Sequence, residues 1–122
     1  MTKALVVEDN LLNMELVLEI LNAKGFAAEG AMNGEDAVNK AEQETYDLII
    51  TDIGLPGMNG IEVAKRIRGK PGYENTPVLA LTAYATGGRA ERERFRAEGF
   101  EDVVPKPLHV VDFMNQIEKY RK

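Results

Sequence analysis

The chain has 122 residues and a formal net charge of −5, so its size suits one domain and its charge would repel nucleic acid rather than bind it. It contains neither cysteine nor serine, which excludes thiol and serine nucleophiles and agrees with a reducing compartment. No stretch approaches the roughly 20 apolar residues of a membrane span, and the acidic pair Glu8-Asp9 stops the first apolar run too early for a signal peptide. We therefore expect one soluble, cytoplasmic domain over residues 1–122.

Short apolar runs alternate with longer amphipathic segments along the whole chain. In chain order the pattern predicts a strand over Ala4–Val7, a helix over Leu11–Leu21, a strand over Phe26–Ala31, a helix over Gly34–Glu44, a strand over Leu48–Thr51, a helix over Ile61–Arg68, a strand over Val78–Leu81, a helix over Arg89–Glu98, a strand over Asp102–Val104 and a last helix marked by the stripe Val110, Phe113, Met114 and Ile117. Asn10 and Asn33 are predicted N-caps, and Gly25 is predicted to follow the end of the first helix. The stripe of the last helix is interpreted as core packing.

Five strands that alternate with five helices are typical of an α/β protein with a parallel sheet. The strands lack period-2 alternation of apolar and polar residues, as expected when helices cover both faces of the sheet. In such sheets the ligand site lies at the carboxyl ends of the strands. The residues that directly follow the strands are therefore the first candidates for chemistry.

Polar side chains follow four of the five predicted strands. Glu8 and Asp9 come after the first strand, Asp52 after the third, Thr82 after the fourth and Lys106 after the fifth. Because neighbouring carboxylates repel each other, a hard divalent cation such as Mg²⁺ would relieve the cluster, and phosphate oxygens would complete its ligand shell. Asp52 is the natural nucleophile for an aspartyl-phosphate, with Thr82 and Lys106 sharing the charge of the transferring group.

Each of these residues also has a structural interpretation when it is taken alone. Lys106 could be a solvated loop residue and Thr82 a turn residue. Glu8 and Asp9 could simply place negative charge at the start of the next helix. Their joint placement at four strand ends is what favours a functional site.

Four segments resemble the receiver domain of two-component signalling, the family of response regulators. These segments are Val6-Val7-Glu8-Asp9-Asn10, Asp52-Ile53-Gly54-Leu55-Pro56-Gly57-Met58-Asn59-Gly60 with the pattern D-x-x-L-P-x-M-x-G, Leu81-Thr82-Ala83, and Val104-Pro105-Lys106-Pro107. They cover essentially the whole chain in the order and spacing of the family. Within the family, residues 6–14 and 81–85 look most like the stand-alone DivK-type regulators and the receivers of hybrid kinases.

The resemblance implies a doubly wound, CheY-like sheet of five parallel strands in the order 2-1-3-4-5. It implies that Asp52 accepts a phosphoryl group from a sensor histidine kinase or a phosphotransfer protein in a phosphorelay. Mg²⁺ would be organised by Glu8, Asp9, Asp52 and the backbone carbonyl of Gly54. The phosphoryl oxygens would bond to Thr82 and Lys106, and the Lys106–Pro107 peptide bond would be cis. The domain would be a switch rather than an enzyme, catalysing only its own phosphorylation and dephosphorylation, and it would signal to a downstream regulatory protein.

Three positions depart from common family choices. Valine stands at position 103, three residues before Lys106, where receivers usually carry an aromatic switch residue. Gly54 has no side chain to shield an acyl phosphate, and Glu8 replaces the more frequent aspartate. We therefore expect the switch to act through the surface from Thr82 to Glu98 and the last helix, with the loop Ala83–Gly88 moving.

Two other classes of function fit parts of the sequence. An Asp-nucleophile phosphatase or phosphotransferase of the haloacid-dehalogenase type would need a second aspartate two residues after the first, where this chain has Gly54. A phosphorylation-independent docking module would not need all five site residues. No phosphate-binding glycine motif of a nucleotide-binding fold occurs.

Overall fold

The computed structural model describes residues 2–83 and 88–121. Strands and helices alternate strictly along the chain. Their bounds are β1 Thr2–Val7, α1 Leu11–Ala23, β2 Phe26–Ala31, α2 Gly34–Gln43, β3 Leu48–Asp52, α3 Gly60–Arg68, β4 Val78–Thr82, α4 Arg89–Ala97, β5 Asp102–Pro105 and α5 Val110–Glu118.

The five strands form one parallel sheet in the order β2-β1-β3-β4-β5. This confirms the doubly wound fold and the strand order that the family resemblance implied. Every residue of β3 and β4 is buried, which explains why these strands read as continuous apolar runs rather than as alternating ones. The strand order reverses between β1 and β3, because β2 lies on one side of β1 and the later strands lie on the other. The carboxyl ends of β1 and β3 therefore border the crevice where ligands bind in such sheets.

Two hydrophobic clusters hold the helices on opposite faces of the sheet. One cluster contains buried side chains of α1 and α5, such as Val17 and Phe113. The other contains side chains of α2 and α3, such as Ala37 and Val63, together with the half-buried Phe95 of α4. Phe95 also meets Phe100 edge to face, with ring centroids 5.8 Å apart.

Asparagine side chains cap the first three helices. The side-chain oxygens of Asn10, Asn33 and Asn59 each accept the backbone N–H three residues further on, at 3.0, 2.9 and 3.0 Å. The caps predicted at Asn10 and Asn33 are thus confirmed, whereas Asn59 was missed and α3 begins one residue earlier than predicted. Gly25 follows α1 with φ of +91°, as the sequence predicted for a residue beyond a helix end.

Two details of the sequence interpretation are corrected. Val110 was assigned to the core stripe of the last helix but is 42% exposed. It is the first residue of α5, whereas Phe113 and Ile117 further along the helix are buried. Strands β3 and β4 each continue one residue further than predicted, since Asp52 pairs with Leu81 and Thr82 pairs with Pro105. Asp52 and Thr82 are therefore the last residues of strands rather than loop residues.

Over residues 2–83 and 88–121, no helix is long and apolar enough to cross a membrane.

Candidate functional site

The six predicted site residues lie together at the carboxyl edge of the sheet. Glu8 and Asp9 follow β1, Asp52 ends β3 and Thr82 ends β4. Lys106 follows β5, and its backbone N–H donates to the Thr82 carbonyl oxygen at 2.9 Å. Gly54 follows Asp52 by two residues and donates its N–H to Asp52 Oδ1 at 3.0 Å. The structure thus brings together side chains that are up to 98 positions apart in the sequence, from Glu8 to Lys106.

Asp52 is held on both of its carboxylate oxygens. Oδ1 accepts the Gly54 N–H, and Oδ2 accepts a hydrogen bond from Lys106 Nζ at 2.8 Å. The residue is only 6% exposed, yet it borders a cavity of about 300 Å³. That cavity is lined by Asp52, Ile53, Gly54, Thr82, Ala83 and Lys106. Asp52 is therefore a fixed carboxylate that an incoming group can reach.

Glu8 is fully buried beside Asp52. Its Oε1 accepts the Asn10 N–H at 3.1 Å, and its Oε2 lies 2.9 Å from Lys106 Nζ. Among the groups that the structure describes, Oε2 receives no hydrogen bond of regular geometry, so its contact with Lys106 is an ion pair. Burial raises the pKa of Glu8 above its ordinary value, against the opposing effects of Lys106 and of the Asn10 N–H.

Lys106 bridges the two buried carboxylates. Burial alone would lower the pKa of its ammonium, but the hydrogen bond to Asp52 and the ion pair with Glu8 outweigh it and hold the pKa above the ordinary lysine value. The side chain stays charged at neutral pH and partly neutralises the cluster. The Lys106–Pro107 peptide bond is cis, as the family resemblance predicted.

The carboxylates of Glu8, Asp9 and Asp52 form a candidate metal site. Each contributes one oxygen to a group whose members lie within 4.8 Å of one another. Lys106 pairs with two of these carboxylates, Glu8 and Asp52, and one buried oxygen of Glu8 lacks a regular hydrogen bond. These hard oxygen donors carry excess negative charge, which fits Mg²⁺. One of them, Asp9, is exposed, and Mg²⁺ usually keeps several waters when it binds to proteins.

The sequence did not identify two residues that build this site. Asn10 was predicted as a helix cap, but its N–H also orients Glu8. Gly60 allows the start of α3 to touch the end of β3, because a Cβ atom there would lie 2.2 Å from the Asp52 carbonyl oxygen. Gly60 belongs to the D-x-x-L-P-x-M-x-G segment, so its position was marked although its steric role was not.

A larger groove of about 380 Å³ lies at the opposite, amino edge of the sheet. Arg68 and Glu74 line it, and the Arg68 guanidinium donates to the carbonyl oxygens of Gly99 and Glu74. These contacts tie the end of α3 to the segments that precede β4 and β5. Among its described lining residues, Glu74 and Glu101 carry carboxylates, and the groove lies away from the strand ends where the chemistry of such folds occurs.

Comparison with known proteins agrees with the geometry. A family model described as the response regulator receiver domain matches residues 4–118. The polar-differentiation response regulator DivK of Brucella anthropi is 37% identical over 116 residues, which cover 95% of this chain and 93% of DivK. The similarity to DivK-type regulators that the sequence predicted is thereby confirmed.

Solved structures show the same architecture. The chemotaxis response regulator CheY4 of Vibrio cholerae superposes with a TM-score of 0.89 at 29% identity, covering 99% of both chains. The response regulator TrrA of Thermotoga maritima, solved in complex with Mg²⁺ and BeF, gives a TM-score of 0.83 at 32% identity, covering 99% of this chain and all of TrrA.

Proposed function

Because this chain belongs to the family of response regulator receiver domains, we propose that Asp52 is its phosphoacceptor and that phosphorylation there switches a protein-binding surface. The observation that carries the proposal is the arrangement around Asp52. Its carboxylate is fixed by Gly54 and Lys106, lies within a cluster of three acids, and opens on a cavity that Thr82 also lines.

The reaction needs little from the protein beyond positioning and charge. An oxygen of the Asp52 carboxylate attacks the phosphorus of a phosphohistidine on a sensor histidine kinase or phosphotransfer protein. The new P–O bond forms as the P–N bond breaks, and the imidazole leaves with the electron pair. Lys106 and the Thr82 hydroxyl then share the negative charge on the phosphoryl oxygens.

Glu8, Asp9, Asp52 and the Gly54 carbonyl are the groups that would hold Mg²⁺. The ion would supply positive charge that offsets the negative charge of the Asp52 carboxylate and of the incoming phosphoryl group. The complex of TrrA with Mg²⁺ and BeF supports this assignment by similarity. Asp9 is the exposed member of the set and so the first carboxylate that an ion from solvent would meet.

The surface that would respond is the stretch from Thr82 to Glu98 together with α5. Thr82 and Lys106 link the acceptor to the ends of β4 and β5. In the loop predicted to move, Ala83–Gly88, residues 84–87 lie outside the described residues. Val103 lies buried in β5, so the readout does not use an aromatic side chain at that position. The partner that reads this surface is proposed to be a downstream regulatory protein.

The structure adds no support for the alternative of a haloacid-dehalogenase-type enzyme. The position two residues after Asp52 is a glycine whose neighbourhood is open, with Asp52 Oδ1 at 3.8 Å from where a Cβ would be. The second catalytic carboxylate of such an enzyme has no counterpart there. The convergence of all the acidic, hydroxyl and ammonium groups likewise favours a phosphoacceptor over a phosphorylation-independent docking module.

Labelling with acetyl phosphate tests the proposal. Wild-type protein with Mg²⁺ should gain one phosphoryl mass by intact mass spectrometry, whereas excess chelator or Asp9→Ala should reduce the rate by at least about tenfold. Asp52→Asn should gain none. Full labelling in chelator would contradict the metal assignment, and labelling of Asp52→Asn at the wild-type rate would contradict the choice of acceptor.

A further inference from the structure

The tripeptide Met-Asn-Gly occurs twice in the chain, each time at the start of a helix. Asn33-Gly34 begins α2 and Asn59-Gly60 begins α3. An asparagine before a glycine is chemically labile, because glycine has no side chain to keep its backbone nitrogen away from the amide carbon of the asparagine. Attack by that nitrogen closes a five-membered succinimide ring, which water then opens. Since the local sequence is the same, any difference in reactivity between the two pairs must come from the fold.

The two asparagines are held in nearly the same way. Both are exposed, and both are extended, with ψ of 169° at Asn33 and 171° at Asn59. Each side-chain oxygen accepts the N–H three residues further on, at 2.9 and 3.0 Å. Asn33 Nδ2 also lies 3.3 Å from Asp36 Oδ2, a long contact between exposed groups that restrains the amide little. The asparagine side of the reaction therefore does not separate the two sites.

The attacking nitrogens do differ. The Gly60 N–H donates to the Ile53 carbonyl oxygen at 3.1 Å, and backbone atoms at the end of β3 surround the position of its missing Cβ. The Gly34 N–H has no acceptor among the residues that the structure describes. The atoms nearest to its missing Cβ belong to the side chains of Val63 and Met58. The Gly60 nitrogen must break a backbone hydrogen bond before it can attack, whereas the Gly34 nitrogen need not.

We propose that Asn33 is a site of spontaneous deamidation in the folded protein and that the hydrogen bond of Gly60 protects Asn59. The Gly34 nitrogen loses its proton to hydroxide and bonds to Asn33 Cγ, and the side-chain nitrogen takes up a proton from water and leaves as ammonia. Water then adds to one carbonyl of the succinimide and breaks its C–N bond. The product is isoaspartate, or aspartate when the other C–N bond breaks. This inference does not depend on the phosphorylation of Asp52.

Isoaspartate at position 33 would alter the start of α2. The main chain would then run through the former side chain and gain one methylene, so the hydrogen bond from the Asp36 N–H to the capping oxygen would be lost. Residues 33–36 line a cavity of about 190 Å³ together with residues 56–58, which belong to the segment that follows Asp52. The modification would therefore act where α2 meets that segment. Aspartate, by contrast, is itself a good N-cap.

Ageing of the native wild-type protein at mildly alkaline pH tests the proposal. Trypsin cleaves after lysine and arginine, so Asn33 falls in the peptide of residues 25–40 and Asn59 in that of residues 41–65. Each deamidation adds one mass unit, and electron-transfer fragmentation locates the change and distinguishes isoaspartate from aspartate. We expect Asn33 to react at least about tenfold faster than Asn59, because attack at Asn59 first costs the hydrogen bond of Gly60.

Two controls separate the fold from the sequence. In urea the native hydrogen bond of Gly60 is absent, so Asn33 and Asn59 should react at rates within about twofold of each other. The variant Asn33→Ser keeps an N-cap oxygen but has no amide. It should show no mass gain at position 33 and an unchanged rate at Asn59.

Three results would overturn the inference. One is an equal rate at Asn33 and Asn59 in the native protein. Another is a native protein in which neither asparagine reacts while both react in urea, since the cap of α2 would then protect Asn33 as well. The third is a tenfold faster rate at Asn33 that persists in urea, because the difference would then belong to the sequence and not to the hydrogen bond of Gly60.

Discussion

Gly60 lies at the start of α3, where this helix comes close to the backbone at the end of β3. A Cβ atom there would lie 2.2 Å from the Asp52 carbonyl oxygen and 2.8 Å from Ile53 Cα. Both neighbours are backbone atoms, which cannot rotate away as a flexible side chain can. The Gly60 N–H also donates to the Ile53 carbonyl oxygen at 3.1 Å. The absence of one side chain thus helps to fix the backbone of Asp52, the proposed phosphoacceptor.

We expect Gly60→Ala to lower the free energy of unfolding by about 2–3 kcal/mol, because the strand and the helix must separate to admit the methyl group. Gly69→Ala is the matched control. Gly69 ends α3 with φ of −75°, and a Cβ there would meet its nearest atom at 3.6 Å. It should change stability by less than about 0.5 kcal/mol. Urea unfolding measures both, and equal midpoints for the two variants would contradict this steric account.

Single residues also show where sequence reasoning stops. The order of apolar runs placed Asp52, Thr82 and Lys106 at strand ends, so their convergence followed from the rule for parallel sheets. The contact between Glu8 and Lys106 did not follow, because it depends on side-chain length and on a distance across the sheet. The position of Gly60 was visible in a family segment, whereas its contact with the Asp52 backbone required coordinates.

At the scale of elements, β5 is an edge strand tied closely to the last helix. Gln116 of α5 donates its side-chain amide to the Val103 carbonyl oxygen at 2.9 Å. The Val103 N–H donates to Asp102 Oδ1 at 2.8 Å. Both backbone groups of Val103 are thus occupied by side chains, which protects the edge from pairing with another strand. A shift of β5 near Lys106 would therefore alter the hydrogen bond between Val103 and Gln116 of α5.

Tyr120, which follows the end of α5, should make the stability of the protein depend on pH. Burial, followed by the nearby carboxylates of Glu101 and Asp102, raises the pKa of Tyr120 to about 12. Because this value lies above the ordinary value of about 10, the stabilising effect is complete below pH 10 and is lost as the pH rises toward 12. Tyr120→Phe should therefore lose less stability than wild type between these pH values. Parallel losses in urea unfolding would contradict the assignment.

Element boundaries were predicted to within two residues, and the differences have physical causes. Strand β1 begins at Thr2 rather than Ala4 because Thr2 pairs with Phe26 across the sheet. Pairing between strands that are distant in sequence leaves no local signal, so the sequence underestimated the strands. Helix α3 began earlier than predicted because a glycine at its first position was interpreted as a boundary rather than as the first residue after the Asn59 cap.

At the scale of the whole molecule, Asp52 is connected to the half of the sheet that contains β4 and β5. Lys106 contacts Asp52 through its side chain and Thr82 through its backbone, and β5 continues this connection to α5. A phosphoryl group can shift a conformational equilibrium only by interacting differently with the two states. Lys106 and Thr82 are the groups through which that difference would act.

Hydrogen exchange with and without beryllofluoride and Mg²⁺ should therefore show a changed rate across residues 83–98 and α5. Helix α2 serves as the internal reference, because its contacts are with α3 and with β1 and β2, and β2 lies at the edge of the sheet opposite β5. Unchanged exchange over residues 83–98, at full occupancy of Asp52, would show that the signal leaves through another face.

The central claim is that Asp52 is the phosphoacceptor, and reductive trapping tests it most directly. Borohydride converts an aspartyl-phosphate to homoserine, so protein labelled with acetyl phosphate and Mg²⁺, reduced and digested, should carry that change at residue 52 alone. Lys106→Met should keep the same site of modification, even if it is labelled more slowly. Homoserine at Asp9 would contradict the account, as would a phosphorylated peptide that lacks Asp52. Glu8 cannot yield homoserine, because its side chain is one methylene longer than that of aspartate.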